Sequence, residues 1–349
     1  VDGLEVLLPN GSAGAMHIHW MDWIRWMWWL LVTVILLPVL FAFLVVAVLL
    51  AALPITPTRI ARRNLRERMG YGGLRSFATL IGVYLNYALY GLEVLVYWPV
   101  GALVGTNDAA YFEFLDLVSK AYDLGKRQRG VLFLGGHFSA IEQAGGTTNR
   151  FLISRSRPSL AVLAKPAPIK FFTWLMDCYR KLRSLEVIWT GGRSRFLVEL
   201  SKILQAGHSI GMIVDQKPSR GGIFLRFFGE FASFPFRGIA HALACDIPVV
   251  ATNARRIAPG VFATEYILIP VARLSAVDPV ALQAAVQRNS LTYQPAEPFP
   301  QGDDAEVADI LSHFAGWLEV LVRKSPYQWC WDYRKWSRQV PPVTKKEEP

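Results

Sequence analysis

Cysteine and acid are what this chain is short of. Only 3 cysteines, Cys178, Cys245 and Cys330, occur among its 349 residues, and they stand far apart. No two have metal-ligand spacing and no disulfide framework can be drawn from them, which suits a reducing compartment. Acids are outnumbered: 27 Asp and Glu against 37 Lys and Arg leave a formal net charge of +10. A basic surface selects anionic partners: nucleic acid, acidic lipid head groups or an acidic protein. Nucleic acid is disfavoured, because no recognisable binding motif accompanies the basic residues, which cluster beside an apolar segment. No metal or cofactor is implied. Charge of either sign is sparse at 18%, whereas 52% of residues are hydrophobic and the mean hydropathy is +0.27, high for a purely soluble protein.

That hydrophobicity is concentrated. Trp26 to Leu53 is almost continuously apolar and carries no charge. A bilayer crossing needs ~20 such residues, so the run predicts one transmembrane helix, its surplus taken up by tilt, an interfacial extension or a break near Pro38; a helical hairpin is the alternative. Arg59, Arg62, Arg63, Arg66 and Arg68 follow at once, against the single acid Glu67. The positive-inside rule then puts the rest of the chain in the cytoplasm. The arginines either bind anionic phospholipid head groups or form a solvated helix face that only sets topology. Phe77 to Val104 is apolar too, but Asn86 and Glu93 interrupt it. It reads as helices lying on the membrane or packing on the following domain, or as a core helix pair, rather than as a second span.

From residue 105 the pattern becomes strand and helix in alternation. Val131–Leu134, Leu160–Ala164, Val187–Thr190, Ile210–Val214, Pro248–Thr252 and Tyr266–Val271 read as short strands. Phe114–Leu124 (stopped by Gly125), Ser194–Ala206 (capped by Ser194) and Asp304–Arg323 read as helices. The alternation predicts an α/β fold with a mostly parallel central sheet flanked by helices, behind an N-terminal transmembrane helix. The expected organisation is an appended linker at 1–15, with Met16 a plausible start; an anchor at 16–56; a basic and interfacial helical region at 57–104; the catalytic domain at 105–340; and a disordered tail at 341–349.

The chemistry centres on the run Val131-Leu-Phe-Leu-Gly-Gly-His137-Phe-Ser-Ala-Ile-Glu142. An imidazole beside a carboxylate makes a general base for a hydroxyl group. Helical positions five apart lie about 140° apart, so His137 and Glu142 meet only if the histidine sits in the turn and Glu142 opens the next helix. Downstream, Asp215 ends another strand, followed by Lys217, Arg220, Gly221, Gly222 and Arg226. The basic residues there are candidates for phosphate, and the glycines for close backbone approach to a ligand; a surface hairpin with solvated charges is the plainer alternative. Phe224, Phe227 and Phe228 line an acyl groove or belong to the core. Arg180, Lys181 and Arg183, on or after a helix, are a second phosphate-binding candidate, with a solvated helix end as the plainer reading.

Taken in order, His137-Phe-Ser-Ala-Ile-Glu142, Arg180-Lys-Leu-Arg183, Asp215-Gln-Lys with Gly221-Gly-Ile-Phe and Phe227-Phe-Gly229, Ile247-Pro-Val-Val250 and Ser325-Pro-Tyr-Gln-Trp-Cys-Trp-Asp-Tyr-Arg-Lys335 resemble the bacterial lipid A late acyltransferases of the lysophospholipid acyltransferase superfamily. The resemblance covers about residues 30 to 338. His-Phe-Ser-Ala-Ile-Glu stands where that family has His-Phe-Gly-Asn-Trp-Glu, which keeps the pair and alters what lies between. The resemblance implies that His137 deprotonates an acceptor hydroxyl and Glu142 orients it. It further implies that Arg180, Lys181 and Arg183, with the loop from Asp215 to Gly222, bind substrate. The expected partners are an acyl carrier protein or acyl-CoA as donor, an anionic glycolipid or lysolipid as acceptor, and membrane phospholipids, with the enzyme single-pass in the bacterial inner membrane. A phospholipid acyltransferase and a non-catalytic lipid-binding scaffold are the rival readings.

Overall fold

The computed structural model describes residues 20–96, 104–105, 108–167, 170–190, 195–218, 221–287, 292–299 and 305–336. The expected linker at 1–15, the tail from 341, Ser194 and Arg220 lie outside them. The described residues open with three helices: α1 (Trp20–Ala52), α2 (Thr56–Met69) and α3 (Gly73–Val96). The α/β domain then runs β1 (Val104–Gly105), α4 (Asp108–Ala121), α5 (Leu124–Arg127), β2 (Leu132–Gly135), α6 (Ile141–Ser154), β3 (Ala161–Ala164), α7 (Lys170–Leu182) and β4 (Glu186–Trp189). It continues with α8 (Arg195–Gln205), β5 (Ile210–Ile213), β6 (Ile223–Phe227), β7 (Glu230–Phe234), α9 (Arg237–Leu243), β8 (Val249–Ala258), β9 (Val261–Ile269), α10 (Pro279–Gln287) and α11 (Ala305–Lys324).

Seven strands form one sheet in the order β1-β9-β8-β2-β5-β3-β4. All neighbouring pairs are parallel except β8 and β9, so the fold is α/β with a mostly parallel sheet flanked by helices. The central strand β2 is buried along its whole length, as a parallel strand covered on both faces must be. β6 and β7 form a separate antiparallel hairpin. The expected helix at 114–124 instead starts at Asp108 and ends at Ala121, and Gly125 lies inside the short α5 rather than acting as a stop.

Of the alternatives for the surplus length, a break at Pro38 does not occur: α1 is one 33-residue helix with Pro38 inside it. Between Val34 and Leu53 most of its described apolar side chains are exposed, Phe41 being 68% exposed and Leu49 55%. Two of the arginines after it serve its end. Arg59 donates to the Pro54 carbonyl at 2.6 Å, and Arg62 reaches the carbonyls of Ala51 and Ala52, which no intrahelical N–H satisfies. Among the described residues one helix, Gly73–Val94, is by itself long and apolar enough to cross a membrane; Leu37–Ala52 passes the same test only together with Thr56–Met69, as a pair bent by 75°.

The polar residues of α3 commit that helix to the domain. Glu93 is buried and accepts from Arg256 of β8 at 2.9 and 2.5 Å and from the Gly260 N–H at 3.1 Å; Asn86 accepts from the same guanidinium. Arg256 is further fixed through its backbone, which exchanges hydrogen bonds with the Gln328 side chain at 2.9 and 2.8 Å. Removing one partner of a buried pair strands the other charge, at about 3–5 kcal/mol. Glu93→Ala is therefore expected to lower stability by that order in thermal unfolding of the detergent-solubilised protein. Glu93→Met with Arg256→Met should cost far less; equal losses for the single and double variants would refute the pairing argument.

Candidate active site

Strand register builds the site. β2 and β5 are paired so that Gly135 lies opposite Ile213. The chain leaves both strands at their carboxyl ends, and His137 and Asp215, equally far beyond, emerge side by side. In an open parallel sheet this edge is where ligands bind. The His137 turn is held from outside: Ser139 N–H donates to the Gln328 carbonyl at 2.5 Å, and Cys330 N–H to the His137 carbonyl at 3.3 Å. The C-terminal run Ser325 to Trp336 thus underpins the turn, and its Trp329, Trp331 and Trp336 pack with Phe227 and Phe228. Those phenylalanines are core, as is the buried Phe224.

His137 Nδ1 lies 2.6 Å from Asp215 Oδ1. The other oxygen, Oδ2, accepts from the His137 backbone N–H at 2.7 Å and from Trp329 Nε1–H at 2.9 Å. Burial pushes the Asp215 carboxyl up, but the His137 charge and hydrogen bond, Lys335 and Trp329 outweigh it and hold the group below its ordinary value. An ionised Asp215 accepts, so Nδ1 carries the hydrogen and Nε2 keeps its lone pair. Burial lowers the His137 pKa, and Asp215 more than reverses this, leaving it above the usual histidine value. Gln216 places its amide nitrogen 3.0 Å from Nε2.

Glu142 does not supply the expected partner for the ring. It opens α6, where its carboxylate turns to α7 and is gripped by Arg180, with Nε at 3.2 Å from Oε2 and a second bond to Oε1. The tight register of β2 against β5 delivers Asp215 to His137 first. Arg180 is in turn an ion-pair partner rather than an unengaged phosphate ligand, although both residues line the cavity. Lys181, the next residue round the helix, points away: its side chain is 72% exposed and pairs with Asp177 at 2.7 Å. Arg183 lies over Tyr179, 5.0 Å from the ring centroid, and packs on Gly146, where any Cβ would collide with it. Neither lines the cavity. Gly222 allows close approach to the protein's own β7, its missing Cβ leaving room for Ser233 Oγ, while Gly221 faces the cavity at φ +61°.

The cavity over His137 measures about 880 Å³. Leu163, Met176, Phe196, Met212 and Phe236 give it apolar walls; Lys165, Arg180, Lys217 and Arg237 give it positive charge. A smaller chamber of about 50 Å³ between α6 and the sheet, lined by Phe133, Leu160 and Val162, shares Glu142 and Arg180 with it. Lys165 and Arg237 carry no motif that sequence reasoning would single out, and Gln216 was visible only within the Asp215-Gln-Lys run. Trp329 and Lys335 were visible only as part of the closing aromatic run. Lys335 is 1% exposed, donates to the Ser233 carbonyl at 2.8 Å and sits 3.4 Å from the Phe234 ring centroid; burial lowers its pKa to about 7, against the pull of Asp215. Among the described residues no His, Cys, Asp and Glu side chains converge as a metal site would.

A buried carboxylate, an oriented imidazole whose Nε2 is met by the Gln216 amide beside the cavity, and apolar walls carrying four basic side chains suit proton removal from a hydroxyl beside a lipid chain and an anionic group once the substrate takes the place of that amide. Residues 115–338 match the model of the family described as "Bacterial lipid A biosynthesis acyltransferase". No curated protein matches the chain.

Proposed function

The chain belongs to the bacterial lipid A biosynthesis acyltransferase family and is an acyltransferase, and from that premise we propose that it moves a fatty acyl chain from an acyl-carrier-protein or CoA thioester to a hydroxyl of a lipid A precursor or a related anionic glycolipid. His137 is the general base. Nε2 takes the hydroxyl proton as the oxygen attacks the thioester carbonyl; the tetrahedral intermediate collapses, the C–S bond breaks, and the imidazolium returns the proton to the thiolate. Asp215 is the orienting acid, fixing the tautomer and stabilising the imidazolium. The single observation carrying this is the 2.6 Å contact of Nδ1 with a buried carboxylate, the second ring nitrogen lying beside the cavity.

Glu142 then acts one step away from the base. It holds Arg180 at the cavity wall, where the guanidinium meets phosphate or the developing oxyanion. Lys165, Lys217 and Arg237 seat the anionic parts of donor and acceptor, and the apolar walls take the acyl chain. We assign α1 as a single span of the bacterial inner membrane. The arginines of α2 on its carboxyl side support a cytoplasmic catalytic domain.

Mass spectrometry of products from the purified protein, supplied with defined acyl-carrier-protein and acyl-CoA donors, tests the proposal. The expected result is a glycolipid heavier by one acyl chain. Acylation of a glycerophosphate acceptor with the glycolipid untouched would transfer the enzyme to phospholipid synthesis.

A further inference from the structure

One helix of the catalytic domain shows water a face that belongs elsewhere. On α7, Phe171 is 56% exposed, Phe172 51%, Trp174 55% and Leu182 60%. The aromatics touch one another, with 5.8 Å between the centroids of Phe171 and both Phe172 and Trp174. Helical spacing puts Phe171, Trp174 and Leu182 on a single stripe. Lys170 and Lys181 border that stripe along one side, and Lys165 precedes the helix. The opposite face of α7 is the wall of the active site: Met176 and Arg180 line the cavity. Leu175 and Tyr179 pack with Val94 and Tyr90 of α3, and α3 packs along α1. The anchor, α3 and α7 are thus a continuous row.

We propose that α7 is a second membrane-contacting element, seated in the head-group layer of an anionic bilayer, so that the cavity behind it opens at the lipid surface. Aromatic rings with a lysine border are the composition such a layer takes up, because the rings bury apolar area while the ammonium groups meet lipid phosphate. The row of helices brings this face to the membrane that α1 enters. The inference rests on the assignment of α1 as the anchor. It adds that a lipid acceptor reaches His137 along the bilayer, past α7, without passing through water.

The test uses the full chain in vesicles of phosphatidylethanolamine and phosphatidylglycerol. Leu182→Cys carries an environment-sensitive nitrobenzoxadiazole label in a background with Cys178 and Cys245 changed to Ser. Burial pushes the Cys330 thiol up to about 12, and a protein keeping Cys330 as its one cysteine measures the background labelling. Val280→Cys on α10, at a position 77% exposed, is the control. Blue-shifted emission and quenching by bromine-labelled lipids at 182 but not at 280 are expected. Water-like emission at 182, or emission that responds to carrier protein instead of lipid, overturns the proposal. In parallel, Phe171→Ser with Trp174→Ser should cut acylation of a vesicle-borne acceptor about tenfold, while thioester hydrolysis in detergent stays unchanged. Equal loss of both activities would mean that the rings only pack the site, which also overturns it. Lipid quenching at 182 in a protein that transfers no acyl chain would leave the surface standing and refute the proposed reaction instead.

Discussion

Replacing His137 by alanine is expected to reduce acyl transfer by about two to four orders of magnitude, the usual worth of a positioned general base. At neutral pH an alcohol is almost wholly protonated, and among the described residues nothing else beside the cavity pairs an acceptor nitrogen with a buried carboxylate. Arg180, Lys165, Lys217 and Arg237 carry charge but offer no lone pair. Alanine also leaves Asp215 Oδ1 without its donor. His137→Gln, which keeps a side-chain N–H near the carboxylate, separates loss of the base from loss of folding. Both variants should insert into membranes and bind donor; near-native turnover in either would remove the base from the mechanism.

The pH profile of the parent enzyme gives the same assignment a sign. His137 works as a base only when neutral, and Asp215 holds its pKa above the usual histidine value. Activity should therefore fall with falling pH through a midpoint higher than that of an ordinary histidine, about 6.5. A midpoint well below this would mean that burial, and not Asp215, dominates the ring.

What the sequence made legible followed from local pattern. Val131 to Leu134 is a short apolar run stopped by glycines, and it is a buried strand within one residue of its expected place. His137 could be located for the same reason: a strand end and a tight turn are both written in neighbouring residues. Its partner could not, because the neighbour of β2 in the sheet is set by tertiary packing. Glu142 is near in sequence and was the natural choice. Asp215 is 78 residues away and was legible as a residue at a strand end and as the start of a substrate-binding loop, not as the partner of His137. Asn86 and Glu93 of α3 repeat the lesson. They read as blemishes in an apolar stretch until Arg256, 163 residues beyond Glu93, is seen to hold them. The glycine pair after Asp215 shows the converse: Gly222 is needed for its smallness, but by Ser233 of the adjoining hairpin strand.

Asp215→Asn is expected to lower turnover by on the order of 10³ to 10⁴, with the fold retained, because it reverses the tautomer of His137. The hydrogen bonds compel this. Oδ2 of Asp215 receives two donors, the His137 backbone N–H at 2.7 Å and Trp329 Nε1–H at 2.9 Å. An asparagine side chain must keep its oxygen at that position, since an NH₂ group there would face donors on both sides. The NH₂ group is then left opposite Nδ1, which must accept, and the ring hydrogen moves to Nε2. The nitrogen beside the cavity becomes a donor and takes no proton from a hydroxyl. The ring also loses the carboxylate that raises its pKa, so any residual activity should show its acid limb at lower pH. Glu142→Ala offers the decisive comparison. Acting through Arg180, Glu142 should cost about ten- to a hundredfold, the worth of one or two charge-assisted hydrogen bonds, and should leave the acid limb nearer its parent position than Asp215→Asn does. If Glu142→Ala proves the more damaging and moves the acid limb further, the orienting role returns to Glu142, and the contact between His137 and Asp215 is structural.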